Sequence, residues 1–272
     1  NADAKDQPEP AGGYAGNEKA GDAPQLYSLA AVAYESLMIG MHQIHRGPNN
    51  AICEKGGYPK LTDLELGFSR DGFHWDRPDR TGFIRGERRE GAWDRAYVHT
   101  TTGVFVVLED KLVFPYCAYS GDAGGGRGDI YGGAAVGLAM LRRDGFASMD
   151  GPGELTTRTV KFSGKHLFVN LNGELSAEVL DDKGRVRAVS EVVSGDSTLQ
   201  QVTWAKEKDQ PDRTDLSDLS GKPVKLRFKL ARGSLYSFWV SPHASGTSGG
   251  YLGAGGPEFG GVRDLPHEHK AP

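Results

Sequence analysis

From Leu26 to Met149 the apolar positions come in short runs separated by turn residues, and the runs are rich in β-branched and aromatic side chains. Val32–His42, Leu64–Phe68, Val104–Leu108, Leu112–Tyr119 and Val136–Leu141 read as strands, because no segment sustains a helical apolar period over three capped turns. After Gly153 the runs become regularly spaced: Leu155–Phe162, His166–Asn170, Leu175–Asp181, Val186–Val193, Thr198–Trp204, Val224–Leu230 and Leu235–Val240. Several alternate cleanly, as in Val224-Lys225-Leu226-Arg227-Phe228-Lys229-Leu230, which turns apolar residues inward and basic ones outward. Leu171-Asn172-Gly173 and Asp182-Lys183-Gly184 read as turns between them.

An internal repeat organises the first half. Phe68-Ser69-Arg70-Asp71-Gly72-Phe73 recurs as Leu141-Arg142-Arg143-Asp144-Gly145-Phe146, 73 residues later. Each copy follows a long inner-strand candidate, Val32–His42 or Ala96–Val107, so the unit is a strand group ending in an Arg-Asp-Gly-Phe turn. In such a turn the Asp carboxylate accepts local backbone N–H groups and the Gly supplies positive φ. Phe73 and Phe146 are expected to anchor the returning strands, with Trp75 packed beside the first. The predicted fold is all-β: an incomplete β-propeller of about two blades over 25–150, then a β-sandwich over 151–242. Residues 1–24 read as a disordered linker or loop, having almost no apolar surface to offset their ordering entropy, and 243–272 as an irregular Gly- and Pro-rich tail.

Composition narrows the function classes. A net charge of −4 offers no clustered basic excess for nucleic acid. No apolar run approaches the ~20 residues of a membrane-spanning helix. The chain starts Asn1-Ala2-Asp3 with no basic or apolar leader pattern, which points to processing or truncation. Cys53 and Cys117 have no metal-ligand spacing and are open to either pairing or burial as free thiols.

Several stretches together carry a family resemblance. They are Val32-Ala33-Tyr34-Glu35-Ser36-Leu37-Met38-Ile39-Gly40, Ser69-Arg70-Asp71-Gly72-Phe73-His74-Trp75-Asp76-Arg77-Pro78 and Leu141-Arg142-Arg143-Asp144-Gly145-Phe146-Ala147-Ser148-Met149. Lys165-His166-Leu167-Phe168-Val169-Asn170, Gly195-Asp196-Ser197-Thr198 and Leu235-Tyr236-Ser237-Phe238-Trp239-Val240-Ser241 complete the set. The chain resembles, over residues 25–262, the C-terminal half of bacterial glycoside-hydrolase-like proteins with a five-bladed propeller of the fructosidase and arabinanase type and a C-terminal β-sandwich. The resemblance implies a carbohydrate-active scaffold, a glycan as substrate or ligand, the N-terminal part of the same protein as a further partner, and a secreted or periplasmic setting.

Inner strands line the channel of a propeller, so candidate chemistry is sought there. Glu35, flanked by Tyr34 within an apolar run, is the candidate general acid; its alternative is a structural Glu paired with Arg95 or Arg46. Trp93-Asp94-Arg95 opens the second inner strand, with Asp94 as the second candidate carboxylate and Arg95 as a hydroxyl-binding cation. Trp93 and Tyr97 offer stacking faces, and His99 either binds sugar hydroxyls or serves the core. Hydrolysis needs two flanking carboxylates, and a partner for Glu35 is not evident. A non-catalytic carbohydrate-binding or assembly module is therefore one alternative, and a polysaccharide lyase with a His or Tyr base is the other. No cofactor or metal is expected: His42 and His45 have no third ligand, and Asp122 and Asp129 are only a weak calcium pair. Arg142-Arg143 reads as a brace between the last blade and the sandwich.

Overall fold

The computed structural model describes residues 3–10, 19, 21–101, 103–121, 131–206 and 213–266. Its strands are β1 (Gln25–Glu35), β2 (Leu37–Gly47), β3 (Leu61–Ser69), β4 (Tyr97–Thr100), β5 (Val106–Leu108), β6 (Lys111–Tyr119) and β7 (Ala134–Arg142). They continue with β8 (Met149–Asp150), β9 (Gly153–Thr156), β10 (His166–Asp181), β11 (Val186–Val189), β12 (Val193–Gln201), β13 (Val224–Ser241) and β14 (Tyr251–Leu252). Among the described residues the chain is all-β apart from helix α1 (Asn50–Gly56) and one 3-10 turn at Ser217–Leu219. It divides into two compact units, the first made of Asn1–Val106, Val113–Met140 and Tyr251–Gly255, the second of Val107–Leu112, Leu141–Gly250 and Gly256–Pro272.

In the first unit β14, β1, β2 and β3 form an antiparallel run. A single parallel bridge from Thr62 to Tyr97 links it to β4, which pairs antiparallel with β6. The Thr62 hydroxyl secures that junction, donating to the Val98 carbonyl at 2.7 Å and accepting from the Val98 amide at 2.9 Å. Edge-on aromatic contacts run through the interior, from Tyr34 to Phe105 at 5.1 Å and from Phe83 to Phe114 at 5.0 Å.

Two predicted inner strands break where the structure turns. Val32–His42 is a hairpin: Tyr34 opposes Leu37 across the turn, and Glu35 takes the left-handed conformation at φ 48°. Ala96–Val107 splits into β4 and β5, with Val104 left-handed at φ 57°. The sequence reading also missed α1, whose N-cap Asn49 accepts from the Ile52 amide at 3.2 Å and whose C-cap Gly57 is left-handed. At seven residues it is too short to show an apolar period, and it buries Cys53 beside Tyr58. Both cysteines are free, and burial pushes the Cys53 thiol up to about 11.

The first Arg-Asp-Gly-Phe turn has the expected backbone chemistry. Asp71 Oδ1 accepts from the Phe73 and His74 amides at 2.9 and 2.8 Å, and Gly72 has φ 79°. Phe73, however, anchors nothing and is 87% exposed. Trp75 does the packing, lying over Gly40, where an added Cβ would meet its ring at 2.5 Å. In the second turn Asp144 takes the positive φ, and the Gly145 amide donates to the Arg142 carbonyl at 2.9 Å.

The second unit is sandwich-like and built on two long strands. β10 pairs with β13 from His166–Ser241 to Asp181–Val224, and each also meets two short strands, β12 and β11 on one side, β9 and β8 on the other. Leu171-Asn172-Gly173 is therefore no turn but the midpoint of β10, where Gly173 (φ 147°) faces Gly233 (φ 87°) between two register shifts. Asp182-Lys183-Gly184 does turn, with Asp181 Oδ1 accepting from the Lys183 and Arg185 amides. Leu167, Val169, Leu171, Val179, Leu226 and Phe228 form the centre of its core.

Arg142 is tied within this unit. Its Nε donates to Asn170 Oδ1 at 2.7 Å, one Nη to Asp196 at 2.5 Å and the other to the Leu171 carbonyl at 3.2 Å. The guanidinium lies 4.9 Å from the Tyr236 ring centroid. Three of the motif stretches noted in the sequence thus converge on an arginine of a fourth.

Candidate functional site

The candidate residues from the sequence fall in three places, all in the first unit. Glu35 sits half-buried at the β1–β2 turn, opposite Tyr251 of β14, not on a continuous inner strand. Its neighbour Tyr34 is buried against Phe105. Trp93, Asp94 and Arg95 belong to the loop before β4. Trp93 packs over Gly137 and tilts against Tyr116 at 5.3 Å, and Tyr116 donates its hydroxyl to Asp94 at 2.9 Å. Burial and that carboxylate push the Tyr116 phenol up to about 12. Asp94 and Arg95 line a polar cleft of about 250 Å³ with Arg85, Glu87 and Arg89.

Tyr97 and His99 are elsewhere, and the register explains why. Tyr97 opposes Tyr119 and His99 opposes Cys117, so these four share one face of the β4–β6 pair. Tyr116, one residue before Cys117, points to the other face together with Trp93 and Asp94. The sheet thereby divides the predicted pocket between its two sides.

On the Tyr97 side a dense cluster forms. The Tyr97 and Tyr119 rings stack at 5.1 Å, Tyr97 meets His99 at 4.1 Å and Tyr131 at 5.8 Å, and Tyr27 lies edge-on to Tyr97 and His99. Lys60, buried, places its Nζ 4.5 Å from the Tyr27 ring and 4.3 Å from the Tyr97 ring, and donates to Tyr27 Oη at 3.1 Å. Tyr97 Oη bonds Tyr27 Oη at the same 3.1 Å. The Tyr97 bond and the ammonium hold the Tyr27 phenol below its ordinary range, whereas burial drives Tyr97 upward.

Histidines complete the cluster. Gln43 is oriented by the Ser28 hydroxyl, which donates to its Oε1, and by its own bond to the Val98 carbonyl. Its Nε2 also faces His99 Nδ1 at 3.1 Å, so Nδ1 accepts and Nε2 carries the imidazole proton. His45 tilts against Tyr27 at 6.2 Å. Burial and the nearby Lys60 lower both His99 and His45, which favours their neutral forms. Solvent reaches this site: Tyr27 is 48% and Tyr131 50% exposed.

Tyr27, Lys60, Tyr119 and Tyr131 were not singled out from the sequence, and His45 was weighed there only as half of a metal-ligand pair with His42. Tyr119 alone had a readable signal, since pairing Ala96–Val107 with Leu112–Tyr119 as a hairpin puts it near Tyr97. Asp122 and Asp129, the weak calcium pair, lie outside the described residues. Among the described residues no group of three His, Cys, Asp or Glu side chains could hold a metal ion.

No family model matches the chain, and no curated protein matches it. Among solved structures it is similar to a glycosyl hydrolase from Bacteroides ovatus, at 11% identity and TM-score 0.32, over 85% of this chain and 93% of that one. It is also similar to a glycoside hydrolase family 43 arabinoxylan arabinofuranohydrolase from Bacillus subtilis, at 10% identity and TM-score 0.24, over 83% of this chain and 56% of that one. Likenesses this distant carry no argument.

Proposed function

We propose that this is a carbohydrate-active protein, glycoside-hydrolase-like in build, whose glycan-binding site is the face formed by Tyr27, Tyr97, Tyr119, Tyr131, His99 and Lys60. The observation that carries this reading is the half-exposure of Tyr27 and Tyr131 on a buried Lys60–Tyr97 base. Sugars present C–H faces edged by hydroxyls. Rigid aromatic rings receive the former, and phenol and imidazole donors receive the latter, at low entropic cost because the cluster is already ordered. In this proposal the two antiparallel groups of the first unit are the blade-like supports of that face.

Two-carboxylate hydrolysis through Glu35 and Asp94 draws less support. Tyr116 already binds Asp94, and Glu35 lies at the far end of β1 from Tyr27, roughly 26 Å away at ~3.3 Å per residue. The Tyr27 hydroxyl supports a second reading. A phenol held below its usual range by two donors suits proton abstraction, as in elimination from a uronate.

Calorimetric titration with arabinoxylan and with polygalacturonate tests both. Tyr27→Ala and Tyr131→Ala should each abolish measurable arabinoxylan binding while the protein stays folded; undiminished arabinoxylan binding in both variants would sink the site. Release of a product with ultraviolet absorption supports elimination, and release of reducing ends alone supports hydrolysis.

A further inference from the structure

Residues 3–10 form neither helix nor strand, yet Asp6 and Glu9 are buried. The stretch is fastened by charge. Asp6 grips Arg77 with both oxygens, Oδ1 to Nη1 at 3.0 Å and Oδ2 to Nη2 at 2.8 Å, and Oδ1 also accepts from Arg80 at 3.2 Å. Asp3 Oδ2 meets Arg80 at 2.5 Å and Arg77 at 3.3 Å. Both arginines are prearranged. Arg80 Nε donates to the Arg77 carbonyl at 2.9 Å, and Arg77 Nη1 is held from below by Glu65 Oε2 at 2.9 Å. Arg46 supports the floor, bridging Asp63 at 2.5 Å and Glu65 at 2.8 Å.

The two ends of this strap are held differently. Around Glu9 the backbone takes part, its amide donating to the Arg46 carbonyl at 2.9 Å and its carbonyl accepting from Gly21 at 2.7 Å, while its carboxylate pairs with Arg88. At the Asp3–Asp6 end the backbone bond is internal, Asp6 amide to Asp3 carbonyl, and attachment to Arg77 and Arg80 is through carboxylates; the first backbone anchor is the Gln7 carbonyl, which accepts from Arg46 Nη1 at 2.7 Å. The Asp3–Asp6 end can therefore leave while Gln7 and Glu9 keep it tethered at high effective concentration. Without Asp3 and Asp6, three guanidiniums of Arg46, Arg77 and Arg80 face the carboxylates of Asp63 and Glu65, leaving the site net positive.

We propose that Arg77 and Arg80 form a binding site for the carboxylates of an acidic glycan, a uronate-bearing oligosaccharide, and that Asp3 and Asp6 occupy it as an internal competitor. The choice of glycan as ligand rests on the carbohydrate reading above; the carboxylate chemistry rests on what the site already holds. Paired, planar guanidiniums suit neighbouring carboxylates because each binds in a two-pronged fashion. Alternation along β2 sends His45 and Arg46 to opposite faces, so this site is separate from the tyrosine cluster.

The test is titration of the full chain with hexagalacturonate, with cellohexaose as the neutral control. In D3N/D6N, hexagalacturonate should bind at least ~10-fold more tightly than in the parent chain, the gain should fall with added salt, and R77Q/R80Q should remove it. Equal affinity in a folded D3N/D6N protein overturns the proposal. Should that variant fail to fold, hydrogen exchange on the parent chain decides. Amides of residues 3–6 must exchange faster with hexagalacturonate bound, and unchanged exchange overturns the idea. If a polyglutamate peptide gains affinity in D3N/D6N and hexagalacturonate does not, glycan as the ligand is overturned here, and the carbohydrate reading weakens, while the arginine site stands. Titration of the tyrosine face with neutral arabinoxylan fails or succeeds independently of this result.

Discussion

The ammonium of Lys60 donates to the hydroxyl of Tyr27 at 3.1 Å while its Nζ sits 4.5 Å from the centroid of the same ring. One buried cation thus both polarises the phenol and lies against its π face, with Tyr97 supplying a second ring at 4.3 Å and a second bond to Tyr27 Oη. Lys60→Met keeps the apolar stem and deletes the charge. Tyrosinate absorbance followed against pH should show the earliest ionisation moving upward toward ~10 in the variant. If the earliest ionisation is the same in both proteins, Tyr27 is not polarised in this way.

That cluster was only partly legible in the chain, for a definite physical reason. Tyr97 and His99 stand at alternate positions of one short strand, a local pattern that sequence displays. Lys60 and Tyr27 reach them across separations of 37 and 70 residues, and only the folded sheet order creates those contacts. Strand content was readable because it rests on local alternation and turn chemistry, as at Asp71-Gly72. Direction was harder. Val32–His42 has no Gly-Asn or Pro signal at its midpoint, and Glu35 supplies the left-handed turn residue itself, so the run reads as one strand. Leu171-Asn172-Gly173 fails the opposite way, because a glycine that serves close approach of two strands carries the same signature as one that serves a turn.

The glycine pair at the centre of β10 and β13 gives a graded stability prediction. A Cβ on Gly233 would stand 2.0 Å from the Asn172 carbonyl oxygen, and one on Gly173 would stand 2.1 Å from that of Arg232. Gly184 has a similar positive φ of 78°, yet a Cβ there meets nothing within 4 Å. Gly184→Ala should cost only the left-handed penalty, ~1 kcal/mol. Gly233→Ala adds a backbone clash and should cost upward of ~3 kcal/mol. Urea denaturation of the two variants measures the difference; equal midpoints would mean that the strands separate freely at this point.

Glu65 and His42 should pull the pH dependence of stability in opposite directions. Burial, reinforced by the Asp6 carboxylate, pushes Glu65 up to about 7 against the pull of Arg77 and Arg46. The folded chain therefore holds a proton there that the unfolded chain has released above ~4.5, and this contribution to stability falls as pH rises from ~4.5 through 7. His42, buried beside Trp75 and near Arg77, is lowered to about 4. Its unfolded form takes up a proton below ~6.5, so its contribution rises with pH between 4 and 6.5. The two nearly cancel in the parent chain. Glu65→Gln removes the falling one, and the stability difference between variant and parent should grow with pH by on the order of 1 kcal/mol per unit across this window. A constant difference from pH 4.5 to 7 would show that Glu65 is ionised throughout.

Arg142 separates the value of a buried hydrogen-bond partner from that of a surface ion pair. Asn170 is fully buried, and its Oδ1 accepts from Arg142 Nε while its Nδ2 donates to the Arg143 carbonyl at 2.6 Å. Removing the guanidinium leaves that oxygen without its donor and also frees the Leu171 carbonyl. Arg142→Ala should therefore destabilise the chain by ~2–4 kcal/mol. Arg142→Lys should recover little, since one ammonium cannot span Asn170, Leu171 and Asp196 at once. The Asp196 carboxylate is 59% exposed, so Asp196→Ala should cost less than ~1 kcal/mol even though it removes the shortest contact of the set. Thermal unfolding of the three variants gives the order directly. If Asp196→Ala proves as costly as Arg142→Ala, the ion pair and not the buried amide holds this corner of the second unit together.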